Sequence, residues 1–142
     1  MHFKKIRLEE TYPLRISVLR KGISLPYKFQ GDEDATTLHF GVENNGVIQA
    51  IASFIPVDLI DGDLKQYQLR GMAVDLDTQG EGLGGYLIDA ASSYFKEKGV
   101  DLLWCNARET AYDFYRKNGF ENRNEEFTVD QIGVHDKMLK YL

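Results

Sequence analysis

The sequence predicts an α+β fold: a mixed, mostly antiparallel sheet flanked by helices. Two observations carry that prediction. Short runs suited to strands recur along the chain, and the turn signal Asn44-Asn-Gly46 joins two of them as a hairpin. Two helical patterns are set among them, with apolar residues Leu83, Leu87, Ile88, Ala91 and Phe95 on one and Ala111, Phe114 and Tyr115 on the other. The 142 residues fit one domain, 1–142, long enough to bury roughly two-thirds of the unfolded surface.

The elements follow in order. Phe3 to Ile6 is a short first strand. Thr11 is the expected N-cap of a helix with Pro13 in its first turn, carrying Leu14, Ile16, Val18 and Leu19 and ending at Gly22. Arg15 and Arg20 on this helix read as a solvated face. Residues 23–35, with Pro26, Gly31 and the acidic run Asp32-Glu-Asp34, read as a solvated loop without assigned function. Strands are expected at Thr37–Glu43, Val47–Val57 and Gln66–Leu76, the last leading into a glycine-rich turn. The helix after that turn ends near Lys98-Gly99. Val100–Asn106 reads as a buried strand and Arg108–Asn118 as a helix stopped by Gly119. Glu125–Val129 and Gly133–Leu142 close the sheet.

Bulk properties narrow the function. Hydrophobic residues make up 43% and charged residues 27%, ordinary for a globular protein. The net charge is −5 with no lysine- or arginine-rich block, which argues against nucleic acid as a partner. No apolar run approaches the roughly 18 residues that span a bilayer, and the first residues lack the apolar core of a signal peptide. One cysteine, Cys105, permits no internal disulfide. These features lead to the expectation of a cytoplasmic protein that works without membrane or metal.

The chain is organised around Asp75-Leu-Asp-Thr-Gln-Gly-Glu-Gly-Leu-Gly-Gly-Tyr86, where four glycines lie between a strand and a helix. Such a turn lets backbone amides approach a pyrophosphate, and the helix N-terminus adds its positive dipole end. Gly80-Glu-Gly-Leu-Gly-Gly85 satisfies the dinucleotide pattern G-x-G-x-x-G, but its position does not. A dinucleotide fold places that loop after its first strand, followed by several βα units. Here roughly half the chain precedes it, including a hairpin. The Gly-Lys-Ser/Thr of a P-loop is also missing.

Gln79-Gly-Glu-Gly-Leu-Gly84 instead resembles Q/R-x-x-G-x-G/A, the pyrophosphate-binding motif of the GNAT (GCN5-related N-acetyltransferase) superfamily. Leu69-Arg-Gly-Met-Ala-Val-Asp75 resembles that family's fourth strand. Asn106 to Phe120 resembles its second motif, A-x-x-F/L-Y-x-x-x-G-F, and Gly133 to Met138 resembles the last strand of some members. The likeness extends over nearly the whole chain and is strongest over residues 67–120. It implies the GNAT-like acyl-CoA N-acyltransferase fold and direct transfer of an acetyl group from acetyl-CoA to an amine. A non-catalytic acyl-CoA sensor with the same fold is the alternative.

The resemblance also implies residue roles. Gln79, Gly80, Glu81, Gly82, Leu83, Gly84 and Gly85 grip the coenzyme pyrophosphate. Met72, Ala73 and Val74 pair with the pantetheine arm and supply amides to the thioester carbonyl. Tyr115 donates a proton to the leaving thiolate, and the neighbouring Tyr112 is structural. Arg108 stands where many members carry an asparagine that helps hold the coenzyme; grouped with the coenzyme residues, it reaches either a phosphate or the acceptor pocket. Arg116 and Lys117 serve phosphates or solvent equally. The stretch Tyr67–Val74 contains no acid, so the general base is His135 by preference, with His39 or a water chain as alternatives. A covalent acyl-Cys105 is disfavoured, since buried strand cysteines are commonly inert. Arg70, with Arg108, favours a small-molecule or peptide amine bearing a carboxylate, whereas the negative net charge favours a basic one. Homodimer formation is left open.

Overall fold

The computed structural model describes residues 1–142. One eight-stranded sheet runs through the molecule in the order β1-β2-β3-β4-β5-β8-β6, with β7 pairing β8. The strands are β1 His2–Lys5, β2 Leu38–Asn44, β3 Val47–Ile55, β4 Gln66–Val74, β5 Leu102–Arg108, β6 Glu121–Asn122, β7 Phe127–Val129 and β8 Gly133–Tyr141. Only β4 and β5 are parallel neighbours. The β2–β3 turn holds Asn45 at φ 53° and Gly46 at φ 79°, the pair of left-handed residues that a tight hairpin needs.

Period-two alternation along β3 separates two layers. Ala50, Ala52 and Phe54 belong to the main core with Leu83, Leu87, Ile88, Ala91 and Phe95 of helix α2, Leu83–Glu97. Ile51 joins Leu14 and Ala73 in a smaller cluster on the opposite face. The apolar stripe expected for α2 is buried in full. Phe95 is an aromatic hub, with ring centroids 4.8 Å from both Phe54 and Tyr67.

The first helical region departs from expectation. It starts at Leu8, as a 3-10 turn Leu8–Thr11, continues through α1, Tyr12–Leu14, and ends as a π-helical turn, Arg15–Leu19. Thr11 is not its cap: its backbone is already helical and its hydroxyl donates to the Leu8 carbonyl at 2.7 Å. Glu10 closes the N-terminus by accepting from the Arg7 amide at 2.7 Å. The widened π turn coincides with Arg15, which is fully buried.

Arg15 and the acidic loop are therefore corrected together. Arg15 forks onto Asp32 with Nη1–Oδ2 at 2.8 Å and Nη2–Oδ1 at 2.9 Å. It also donates to the Tyr27 carbonyl and to Ser53 Oγ. Burial opposes the charged form of Asp32, but hydrogen bonds from Arg15 and the Phe29 amide outweigh it and hold the carboxyl below its ordinary value. This ion pair staples the loop of residues 23–36 onto the sheet.

Two local features of β4 set up the site. Ile51 pairs with Ala73 but Ser53 pairs with Arg70, so two steps along β3 oppose three along β4. The extra residue falls at Gly71, whose φ of 62° marks a glycine bulge. A Cβ at Gly71 would stand 2.9 Å from the Phe29 ring and 3.2 Å from Arg15 Nε. Secondly, β4 pairs with β5 from Gln66↔Leu102 to Leu69↔Cys105 and no further. Beyond that point β4 stays with β3 while β5 follows β8 to the pair Arg108↔His135. The sheet opens as a wedge.

Other boundaries shift. β3 stops at Ile55, β5 is displaced toward Arg108, and α3 is shortened to Tyr112–Lys117 behind a 3-10 turn Glu109–Ala111. The two-residue β6 was not foreseen. No helix is long and apolar enough to cross a membrane.

Candidate active site

Two cavities of about 590 Å³ each open at the wedge. They share Met72, Thr110, Ala111 and Tyr115. One runs along the end of β4 to the glycine turn and Phe114; the other lies between β4, β5, the loop of residues 19–30 and the segment of residues 127–135. We call them the loop cleft and the arginine cavity.

The loop cleft is built from backbone. Asp75 N donates to Gln49 O at 2.8 Å, and the register next to it pairs Ala50 with Val74 and Ile51 with Ala73. Amides alternate sides along a regular strand, so the Ala73 amide faces β3 while that of Val74 faces the wedge. The Val74 carbonyl, on the same side, accepts from Gln79 Nε2 at 3.2 Å. Gln79 thus ties the glycine turn to the end of β4.

The glycines of the turn have different reasons. Gly80 and Gly82 adopt φ 87° and 83°, and a Cβ on either would meet nothing within 4 Å. Their identity answers to backbone conformation and to the open space in front of them. Gly84 is different: its Cβ would lie 2.9 Å from Phe114 Cε1 and Cζ, so it lets α2 approach α3. The amides of Gly80, Gly82, Leu83, Gly84 and Gly85 have no acceptor in the protein, and the helix ladder begins with Tyr86 N to Gly82 O at 3.0 Å. A row of unpaired amides at a 15-residue helix N-terminus suits a diphosphate. Gln79, Gly80, Gly82, Leu83, Gly84 and Gly85 all line this cleft, as do Met72, Ala73 and Val74. Glu81 is exposed and does not.

At the junction stands Tyr115, 8% exposed. Its hydroxyl has no hydrogen-bond partner in the protein, whereas the Tyr112 hydroxyl is committed to Glu126 at 2.9 Å. Burial pushes the Tyr115 phenol well above its ordinary value of 10, with Cys105 adding to the rise and Arg108 opposing it. The phenol therefore keeps its proton throughout the neutral range. Burial likewise pushes the Cys105 thiol up. It remains a poor nucleophile.

The two histidines separate. His39 Nδ1 meets Ser53 Oγ at 2.7 Å and Nε2 meets the Asp32 carbonyl at 3.0 Å, so both nitrogens belong to the Arg15 network. His135 lines the arginine cavity and has one ring bond, Nδ1 to the Gly133 carbonyl at 2.9 Å. A carbonyl only accepts, so Nδ1 carries the hydrogen and the neutral ring has its lone pair on Nε2. Phe127 stacks on the ring at 5.6 Å and fixes its plane.

Arg70 and Arg108 both line the arginine cavity. Arg108 lines this cavity and not the loop cleft, and its Nη2 lies 3.4 Å from the Leu19 carbonyl. The cavity adds Arg20 and Lys28, which sequence reasoning left on solvated surface or unremarked. Thr110 at the junction and the Phe29 platform were also missed. Only the fold brings these segments together, and no local pattern marks them. No cluster of three or more His, Cys, Asp or Glu is placed to hold a metal ion.

Comparison with known proteins identifies the family and the fold. The family description "Acetyltransferase (GNAT) domain" matches residues 35–122. The chain is 34% identical over 144 residues to a Bacillus subtilis protein described as the uncharacterized N-acetyltransferase YitI, covering 100% of this chain and 97% of that one. Its fold is similar to that of Escherichia coli ElaA, with a TM-score of 0.82 at 17% identity over 98% of each chain. It is also similar to an acyl-CoA N-acyltransferase from Pseudomonas aeruginosa, with a TM-score of 0.81 at 16% identity over 99% of each. A family match across more than half of the chain, a relative of the same length and the shared fold converge: the chain belongs to the GNAT acetyltransferases.

Proposed function

We propose that the protein transfers an acetyl group from acetyl-CoA directly to an amine. One observation carries the reading: the cleft with the unpaired amides meets a second, chemically distinct cavity at Tyr115 and Met72. Two reactants enter by separate mouths and meet at one point. Holding them there converts a bimolecular encounter into a local one, worth up to roughly 7–11 kcal/mol of barrier.

Acetyl-CoA supplies the activated thioester. The amides of the glycine turn hold its diphosphate, and the fold's likeness to an acyl-CoA N-acyltransferase supports that assignment. The Val74 amide faces the wedge, and it and the Met72 amide at the junction are assigned as donors for the carbonyl oxygen, where negative charge develops. The His135 Nε2 lone pair takes the proton that the ammonium loses. Tyr115, protonated and unpartnered, donates to the departing sulfur. No residue here needs to carry the acyl group itself, and Cys105 is held in the form least able to do so.

The test is Tyr115→Phe, with coenzyme binding measured by calorimetry beside turnover measured by thiol release across an amine panel. We expect turnover to fall about 100-fold, the low end of general-acid effects, with coenzyme binding unchanged. Unchanged turnover removes Tyr115 from the chemistry. Tight coenzyme binding without turnover in the unsubstituted protein replaces the transferase with an acyl-CoA sensor.

A further inference from the structure

We infer that the acceptor amine carries an anionic group, a carboxylate in the first place, and that Arg70 is the residue that selects for it. The inference rests on the transferase reading above and narrows its substrate.

The arginine cavity is lined by Arg20, Lys28, Arg70 and Arg108, and by no aspartate or glutamate. That is unexpected in a chain with net charge −5. Asp32, outside the lining, is forked onto Arg15; its charge favours the guanidinium of Arg70, but burial and the charge of Arg15 outweigh it and hold Arg70 below its ordinary value. Arg20 is anchored by carbonyls, donating from Nε to Pro26 O at 2.8 Å. Arg70 is different. It is partly buried, its guanidinium lies 4.5 Å over the Phe29 ring, and it has neither a hydrogen bond nor an ion pair in the protein. Phe29 is itself fixed, with Arg15 on it at 4.1 Å and the Gly71 bulge against its edge.

Several cations confined in one cavity repel one another, and Arg20 shows it: burial and the charges of Arg108, Arg70 and Arg15 all pull it below its ordinary value. An anion entering the cavity relieves that repulsion and fills the empty fork of Arg70. A planar carboxylate matches the paired donors of a guanidinium held on an aromatic face, and lysine cannot reproduce the match. Arg70 directly precedes the Gly71 bulge, and the next residue is Met72 at the cavity junction. Arg70 lines the same cavity as Met72 and Tyr115, so one small molecule bearing both an anion and an amine, as an amino acid does, suits it. The opposite wall, from Leu25, Phe127 and Ile132, is apolar and accepts a hydrophobic body. A basic amine such as a polyamine finds four cations and no carboxylate there.

The experiment uses matched pairs: phenylalanine against phenylalaninamide, and phosphoethanolamine against ethanolamine. Thiol release is followed with acetyl-CoA, and binding by calorimetry with coenzyme A present. We expect kcat/KM for phenylalanine to exceed that for its amide by about tenfold or more, the scale of one charge-assisted bond. Arg70→Gln should abolish the preference, chiefly through KM, and Arg70→Lys should recover only part of it. The phosphate pair decides the source of the charge: equal preference there makes the site one for anions in general. Equal or faster turnover of the partners that lack the anion overturns the inference and leaves the transferase standing. Tighter binding of the anion-bearing partners without any turnover overturns the transferase and leaves the anion site standing. No preference in either turnover or binding overturns the inference outright.

Discussion

Gly84 and Phe114 are in contact range with no room for a methyl group: a Cβ on the glycine would lie 2.9 Å from two atoms of the ring. This approach sets the distance between α2 and α3, and Phe114 lines the cleft assigned to the coenzyme. Gly84→Ala is expected to displace the ring and cost about 1–3 kcal/mol. Gly80→Ala meets no atom, but it forces a Cβ into the left-handed region at about 1–2 kcal/mol. The two should separate in thermal melts with and without acetyl-CoA. Gly84→Ala should lower the melting temperature and shrink the shift produced by ligand. An unshifted melt for Gly84→Ala would mean that α3 moves freely and that this contact does not position it.

Arg15→Met tests the buried pair. It strands the Asp32 carboxylate among Ser53, His39 and Phe29, and the expected loss is about 3–5 kcal/mol by denaturant unfolding. The pH dependence has a definite sign. Asp32 titrates lower when folded than when unfolded, so its contribution is complete above the ordinary carboxylate range near 4. That contribution fades as pH falls through the depressed folded value. Asp32→Asn should therefore flatten the acid side of the stability curve, and a curve that stays parallel to the parent's would contradict the assignment.

His135→Gln removes the proposed proton acceptor while leaving the cavity walls in place. Turnover near neutral pH should fall about 100-fold. The deficit should close as pH rises toward the pKa of the amine, because the acceptor then arrives already deprotonated. The measurement is a pair of pH–rate profiles. A constant ratio at every pH would make His135 a positioning residue and hand the proton to solvent.

Cys105→Ala should leave turnover within about twofold of the parent, and the native thiol should react with aromatic disulfide reagents only after unfolding. Its burial and raised pKa both point that way. A loss as large as that of Tyr115→Phe would instead point to a covalent step.

The legible parts of this chain were those written in local patterns. The stripe from Leu83 to Phe95 identifies α2 because burial on one face repeats every three to four residues. The hairpin at Asn45-Gly46 and the glycine turn are legible because few residues tolerate positive φ. The Arg15–Asp32 pair was not, since an arginine on an amphipathic helix reads as solvated until a partner 17 positions away is folded beside it. Thr11 was mistaken for a cap because the backbone partner of its hydroxyl, Leu8, lies behind it rather than ahead. Tyr115, His135 and Arg70, singled out by type and position, all line the arginine cavity. Arg20, Lys28 and Phe29 enter it through the loop that Arg15 staples down, and nothing within that loop announces the destination.

The divergence of β4 from β5 after Leu69 and Cys105 has a consequence for how this protein can change. The loop cleft is drawn from β4, the glycine turn and α3, while the outer wall of the arginine cavity comes from residues 19–30 and 127–135. Those two outer segments carry little of the main core. On the transferase reading, exchange of residues 19–30 and 127–134 reshapes the outer wall of the acceptor side while Arg70, His135 and the glycine turn stay in place, so selection for a new amine has a narrow and separable stretch of sequence on which to act.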